Sequence, residues 1–484
     1  MALSPGVYTN EEDRTFGVPT LGTSIGGIVL SADRGPTDVT FVSSKSQLIQ
    51  LYGEPKSDTP ALHTALVFLR DAPAVQIKRV IVDAVASSVD VDDSQSTPEV
   101  TFTVNAENPG SWGDNISVEF TDEDETDEIF TMNVYYNGSQ VETFTVSKNP
   151  DLKDGYGNNL YIEDVVESSV YVRVADDTTS TELPAMDTMN DLTGGSDDTT
   201  APTDSDLSTG WDAFSNKDVV DVNILLNAGY STETVQNKMI TIAEGRGDCF
   251  AILDTPQADA GVAADTVTYR NDTLNANTSW ASLYAPWVNY YDQYNDREIA
   301  LPPSGFAGGI HARTAEVAEV WDAPAGMRRG IITANGVTKI YNEAERDQLY
   351  KNGVNPIQEF TGMGISVWGQ KTLQSFASST DRINVRKLLI HIQESLEPAL
   401  MPFVFEANTA FVRNNINTLI TSFMEDIQQR DGVYDFAVIT DESINTPTVI
   451  DNNELRVELY IKPTRTAEFI KLTVINTPTG VSFQ

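Results

Sequence analysis

Residues 219–253 read VVDVNILLNAGYSTETVQNKMITIAEGRGDCFAIL, and this stretch decides the fold class. Val219–Leu226 has the apolar content of a strand. Thr232–Glu244 then sets Val235, Met239 and Ile242 on one stripe at helical spacing. After a turn at Arg246-Gly247-Asp248, Cys249–Leu253 reads as a second strand, and Trp280–Trp287 as a further one. Strands separated by helices of this length indicate an α/β layer with a largely parallel sheet. Upstream, Leu62, Ala65, Leu66 and Leu69 fall at helical spacing before Asp71-Ala72-Pro73, and IKRVIV at 77–82 reads as a buried strand. If residues 21–88 share the same sheet, the segment between is an insertion, which exposed loop tips tolerate.

That segment differs in charge. The chain has 484 residues and carries 71 Asp+Glu against 31 Lys+Arg, a formal charge of −40. Residues 90–206 hold 28 acidic side chains against Lys148, Lys153 and Arg173, so −25 of that total sits in 117 positions. Short β-like runs at 100–104, 116–120, 129–136 and 141–146 are separated by Asn108-Pro109-Gly110 and by Asn137-Gly138, which suits a tight hairpin. Residues 100–175 are therefore expected to form a small antiparallel β domain. The stretch 176–210, rich in Asp, Thr, Gly and Ser, is expected to be a linker or loose return loop. Asp122–Glu128 has six carboxylates in seven positions but no calcium-loop spacing, and reads as a solvated loop.

Towards the other end, Val385, Leu388, Leu389, Ile392 and Leu396 mark one helix face, with the helix expected to stop before Pro398. Val412, Ile416, Leu419, Ile420, Phe423 and Ile427 mark a second helix, with Asn408 or Thr409 as N-cap and Gly432 as stop. Two alternating strands follow. In 454–462, Leu455, Val457, Leu459 and Ile461 oppose Arg456, Glu458, Tyr460 and Lys462; in 469–475, Ile470, Leu472 and Val474 share a face. This third of the chain is a helix-plus-sheet module.

Reactive chemistry is sparse. The sequence has no phosphate-binding G-x-x-x-x-G-K-[ST], no H-E-x-x-H and no G-x-S-x-G. GTSIGG at 22–27 lacks dinucleotide-turn spacing. His63, His311 and His391 sit inside helical patterns and Cys249 opens an apolar strand, so each reads as structural. No catalytic, cofactor or metal residues are assigned. The strong acidity argues against nucleic acid or an anionic membrane as partner. No run approaches the ~18 apolar residues of a membrane span, and the N-terminal residues lack a signal-peptide pattern. The expectation is a soluble acidic protein made in a cytoplasm.

The two ends pose a separate question. Val7, Tyr8 and Thr9 form a short extended segment among Pro5, Gly6, Gly17 and Pro19, with no partner in the sequence. The strand 469–475 is an open edge. Two readings stand: a disordered tail beside a tolerated edge, or ends that leave the subunit and add strands to a neighbour's sheet. The second makes Val7, Tyr8, Thr9, Leu455, Val457, Leu459, Ile470, Leu472 and Val474 interface residues.

The chain resembles the tail sheath proteins of contractile phage tails and related injection particles. The resemblance is carried by SPGVY at 4–8 with Glu11-Glu12, SADRGPTDV at 31–39, NPGSWGDNISV at 108–118 and HARTAEVAEVWDAPAG at 311–326. It continues through GVNPIQEFTGMGISVWGQKTL at 353–373, RINVRKLLIHIQESL, FEANTAFVRNNINTLITSFM and RTAEFIKLTV. It implies a multidomain α/β and α+β protein. An N-terminal arm (1–20) would be exchanged with a neighbour. An α/β middle domain of subtilisin-like topology (21–89 and 207–364) would carry the acidic β insert (90–206). A C-terminal module (365–484) would be completed by strand exchange. The implied role is a structural subunit, not an enzyme. Copies would stack as hexameric rings or a helix around an inner tail tube protein, with baseplate and tail terminator proteins at the ends. The sheath would assemble in a host cytoplasm, reside in the virion tail, and contract to drive the tube through an envelope. Arg382, Arg386 and Lys387 on the polar side of one helix, and Arg413 at the start of the other, are either a docking face for the tube or an ordinary solvated face. A surface-layer or adhesin-type protein and an α/β hydrolase are the competing classes.

Overall fold

Parallel strands require crossovers, and the helices between the apolar runs supply them. The computed structural model describes residues 24–57, 59–121, 128–177 and 182–473. Among the described residues the chain divides into two compact units, residues 24–320 with Pro324–Ile383, and Trp321–Ala323 with residues 384–473.

The larger unit is built on a nine-stranded sheet. From one edge its order is Ile331–Ile332, Gly364–Val367, Val354–Phe360, Ala281–Ala285, Phe250–Asp254, Ile224–Leu226, Ile25–Leu30, Ala74–Arg79 and Thr40–Val42. The six strands from Val354–Phe360 to Ala74–Arg79 run parallel, with antiparallel strands at both edges. Both faces are covered, which is why the central strands are apolar throughout rather than alternating. Leu225, Ala251, Leu253, Ala281 and Leu283 pack on one side with Leu207 and Trp211 of helix Asp204–Asp212 and Val235 and Met239 of helix Glu233–Arg246. On the other side helix Pro60–Phe68 and helix Pro303–Val317 close over Leu226, Phe250 and Tyr284.

The acidic insert leaves the sheet after Ala74–Arg79 and returns before helix Asp204–Asp212. A three-stranded sheet (Ser88–Asp92, Val100–Ala106, Val172–Asp176) and a four-stranded one (Met189–Asp191, Ile116–Thr121, Ile129–Tyr136, Ser139–Ser147) enclose one apolar core. Phe102, Phe120 and Phe130 stand at its centre with ring centroids 5.7–6.1 Å apart. Asn137 (φ 51°) and Gly138 (φ 73°) form the tight turn that pairs Tyr136 with Ser139.

Several expectations are corrected. Residues 182–210 are not a loose linker: Met189–Asp191 pairs with Ile116–Thr121, and Thr193 and Ser196 bridge Ser88 and Val85. The Asp-rich composition there serves backbone amides, as with Asp198 below. The insert ends before 206, because helix Asp204–Asp212 packs against Val29 and Val80 of the α/β core. The strand expected over 219–226 is confined to Ile224–Leu226, and the boundary expected at 365 falls inside Gly364–Val367, a strand of the large sheet.

The C-terminal unit has helices Ile383–Leu400 and Ala410–Gln429, strands Val433–Ile439 and Glu458–Pro463, and a short helix Pro447–Asp451. Pro398 lies inside the first helix rather than beyond it, since a proline in the last turn removes a single backbone bond. Thr409 caps the second helix by accepting from the Val412 N–H at 3.3 Å. The strand expected from 454 begins at Glu458, and among the described residues 469–473 form no strand.

Candidate assembly surface in the C-terminal unit

An alternating strand half-buries one row of side chains and leaves its backbone edge to whatever lies beside it. Val433–Ile439 and Glu458–Pro463 pair antiparallel, with Phe436 opposite Ile461 and Ile439 opposite Glu458. Among the described residues neither strand has a second neighbour. On Val433–Ile439 the Gln428 and Asn417 side-chain amides donate to the carbonyls of Tyr434 (3.0 Å) and Val438 (3.2 Å), tying that strand to helix Ala410–Gln429. Beneath it the helix presents Val412, Ile416, Ile420, Met424 and Ile427, all buried.

Leu455, Val457 and Leu459 are only half-buried, as is Ile461. Leu455 and Val457 line a groove of about 820 Å³ with Leu400, Phe403, Val404 and Ile450. Farther along, Phe469, Ile470 and Leu472 lie open, with Ile470 88% and Leu472 85% exposed. Four apolar residues that the sequence reading passed over join this surface: Met401, Val404, Phe405 and Phe411 are exposed. Phe405 is fully so and holds a left-handed backbone (φ 73°), a strained position for a bulky residue. The signal was present in the run MPFVF between two helices, too short for a periodicity to declare a face. Val7, Tyr8, Thr9 and Val474 lie outside the described residues.

The four cationic candidates do not form an open face. Lys387 and Arg413 are each only 6% exposed. Burial pushes the Lys387 ammonium down to about 8, with the Glu394 carboxylate opposing that shift. Arg413 donates from Nη1 to Asn408 Oδ1 at 2.8 Å, and its Nη2 lies 3.8 Å from Glu442. Arg386 is half-buried; Arg382 belongs to the larger unit, where it pairs with Asp381 at 2.9 Å and lies over the Tyr350 ring. A helical wheel assigns these residues to a polar side, but tertiary packing covers two of them. His391 is buried between Trp321 and Phe423, and desolvation with the nearby Arg430 lowers its pKa to about 4.

In the larger unit the reactive groups are sealed. His63 Nε2 lies 3.3 Å from Asp292 Oδ2, and His311 Nε2 lies 3.0 Å from the Tyr284 hydroxyl, all buried. Asp254, unmarked in the sequence, ends a central strand wholly buried. It accepts from Ser304 N–H (2.6 Å), Ser304 Oγ (2.7 Å) and Gly229 N–H (3.0 Å). Burial outweighs these donors and raises its pKa to about 7. Ser304 and Asp254 have no accessible surface, so no substrate atom reaches them. Among the described residues no group of three or more His, Cys, Asp or Glu is arranged to hold a metal, and no helix is long and apolar enough to cross a membrane.

The comparisons with known proteins agree in kind. Residues 200–373 match the phage tail sheath protein central domain, and residues 377–477 the phage tail sheath C-terminal domain. The tail sheath protein of Vibrio phage KVP40 is 32% identical over 398 residues, covering 76% of this chain and 58% of that protein. That of Enterobacteria phage T4 is 30% identical over 382 residues, covering 74% and 57%. The chain thus spans little more than half the length of these relatives. In fold it is similar to the sheath tail protein of Listeria innocua (TM-score 0.61, 14% identity, 92% of this chain and 96% of that one). It is equally similar to the helical sheath of the anti-feeding prophage in its contracted state (TM-score 0.60, 16% identity, 98% and 99%).

Proposed function

Because the chain belongs to the phage tail sheath family, we propose that it is a structural subunit of a contractile sheath, polymerising around an inner tube and shortening to drive that tube through an envelope. The observation that carries this reading is the C-terminal sheet of two strands with no further neighbour among the described residues, beside a stretch of exposed apolar side chains. Strand exchange meets both needs. The arm around Val7–Thr9 of one copy and residues 469–475 of another add to the edges of Val433–Ile439 and Glu458–Pro463. Each added backbone hydrogen bond contributes about 1 kcal/mol net. Burying a Leu, Ile or Phe side chain contributes about 1.5–3 kcal/mol more. Such links hold through backbone pairing while the subunits reorient as blocks, so connection survives a large rearrangement.

The six parallel strands covered by helices on both faces support a subtilisin-like arrangement of the α/β unit as scaffold alone, since Ser304 and Asp254 are sealed. An inner tube, a baseplate and a terminator are the further partners, with assembly in a host cytoplasm and residence in the virion tail. With Lys387 and Arg413 buried, tube docking by the C-terminal unit falls to Arg386 and the exposed residues around Phe405, and Arg382 is a separate candidate on the larger unit. Negative-stain microscopy of the purified chain tests the proposal. Striated tubes or stacked rings are expected; dispersed particles at every concentration and salt tried would count against it.

A further inference from the structure

The acidic insert hangs from the α/β body by two crossings, Val80–Ser87 leading out and Thr193–Ala201 leading back, and a two-stranded stalk of this kind would ordinarily flex. Here it is fastened at every level. Val85 and Ser196 exchange backbone hydrogen bonds at 3.0 and 3.1 Å. The Asp198 carboxylate accepts from three successive amides, Val82, Asp83 and Ala84, at 2.8–2.9 Å, and Asp83 in turn accepts from the Thr199 amide and hydroxyl. Asp197 accepts from the Ser111 amide and hydroxyl at 2.8 and 2.9 Å, and Asp114 from the Ser87 hydroxyl and the Gly195 amide.

Two arginines then bind the stalk to the body. Arg79, the last residue of strand Ala74–Arg79 and only 2% exposed, donates to the carbonyls of Ala32, Gly35 and Pro109, all at 2.9 Å. One guanidinium thus joins the sheet, the loop after the first strand and the base of the insert. Arg34, from that same loop, donates to Ile49 O in the body (3.0 Å) and to the Tyr136 hydroxyl in the insert (3.2 Å). Its guanidinium carbon lies 5.8 Å from the Trp112 ring and 5.5 Å from the Tyr136 ring. Between them Gly110 (φ 138°) brings the insert's backbone so close to Asp33 O that an added Cβ would sit 2.1 Å away. SADRGPTDV and NPGSWGDNISV, far apart in the chain, meet at this point.

We propose that Arg34 and Arg79 with the loop Ala32–Pro36 form a rigid latch, so that the acidic insert and the α/β body move as one piece and the stalk is not a hinge. Planar guanidinium groups suit this role, since each fixes several acceptors in one geometry and stacks on rings, which a lysine cannot do. In a sheath built of such subunits, rearrangement then has to occur outside this junction. The latch itself is a property of the single chain and stands apart from that assembly.

The test uses the full chain with spin labels at Val141→Cys on the insert and Thr234→Cys on the body, both exposed positions; the native Cys249 is buried. Electron–electron distance measurement is expected to give one narrow distribution. Arg34→Ala and Gly110→Ala should each lose that single narrow peak while circular dichroism stays native, and Arg34→Lys should fall between. A broad distribution in the unsubstituted chain overturns the latch, as do two folded variants that remain as narrow as it. Should the variants fail to fold, hydrogen exchange at Val82, Asp83 and Ala84 of the unsubstituted chain decides. Protection upholds the latch, and exchange at the rate of unstructured peptide overturns it.

Discussion

Two of this protein's sheets, the nine-stranded one of the larger unit and the two-stranded one of the C-terminal unit, meet the problem of the open edge in different ways. In the larger unit six parallel strands are buried on both faces and flanked by antiparallel strands, and the polar groups that reach its interior, such as Asp254, Arg79 and His311, each have partners within the unit. In the C-terminal unit a two-stranded ribbon half-buries one row of apolar residues against a helix and exposes a second set around Phe405 and Ile470. An isolated two-stranded ribbon is marginal in water, and this one is supported by its packing against helix Ala410–Gln429 rather than by a third strand. The contrast is between a body whose order is internal and a smaller sheet whose two strands have no further neighbour among the described residues, the edges that the proposed strand exchange would complete.

The contrast breaks most visibly at assembly. Ile470→Asp with Leu472→Asp should abolish polymer formation in sedimentation and microscopy. The same pair should leave the denaturation midpoint of the isolated chain within about 0.5 kcal/mol, because exposed positions carry little folding energy. Loss of stability in place of loss of assembly would mean that these side chains pack within their own subunit.

In the body the reverse holds. Asp254→Ala leaves two amides and a hydroxyl without their acceptor and should cost about 3 kcal/mol in denaturant unfolding. Asp254→Asn sharpens the point through pH. The carboxyl titrates near 7 when folded and near 3.8 when unfolded, so its contribution is fully present below about 4 and is lost as pH rises to about 7. The Asn variant should lack that decline.

A smaller effect is expected in the C-terminal unit. Lys387 holds its proton less tightly folded, near 8, than unfolded, near 10.5, so its burial opposes folding most below pH 8 and the opposition fades towards 10.5. Lys387→Met should stabilise the chain by about 1–2 kcal/mol at neutral pH and remove that rise, since an apolar side chain suits a buried site better than an ammonium. Smallest of all, Asn137→Ala should cost about 1 kcal/mol by placing an ordinary residue in a left-handed turn.

How far these regions could be read from residues alone follows from the kind of signal each leaves. Val235, Met239 and Ile242, or Val412, Ile416 and Ile420, repeat at a spacing that only a helix satisfies, so the helices and the α/β order were legible. The hairpin at Asn137-Gly138 was legible because few dipeptides accept its backbone. Residues 182–210 were not, because Asp and Thr look alike whether they face water or, as Asp198 does, cap three amides. Asp254, Arg79 and Arg34 were invisible as single polar residues whose partners come from distant segments. For the candidate surface, the alternation of Leu455, Val457 and Leu459 matches the row of side chains that the structure half-buries, whereas the polar sides of two helices misled, since Lys387 and Arg413 are covered by packing that periodicity does not record.

Hydrogen exchange on the isolated and the assembled chain tests the central claim most directly. Amides along Val433–Ile439 and Glu458–Pro463 that lack a partner in the single chain should exchange rapidly there and become protected in the polymer, while those of Phe250–Asp254 stay protected in both. Equal protection of the two C-terminal strands in both states would contradict the account, because the sheet would then be complete without its neighbours.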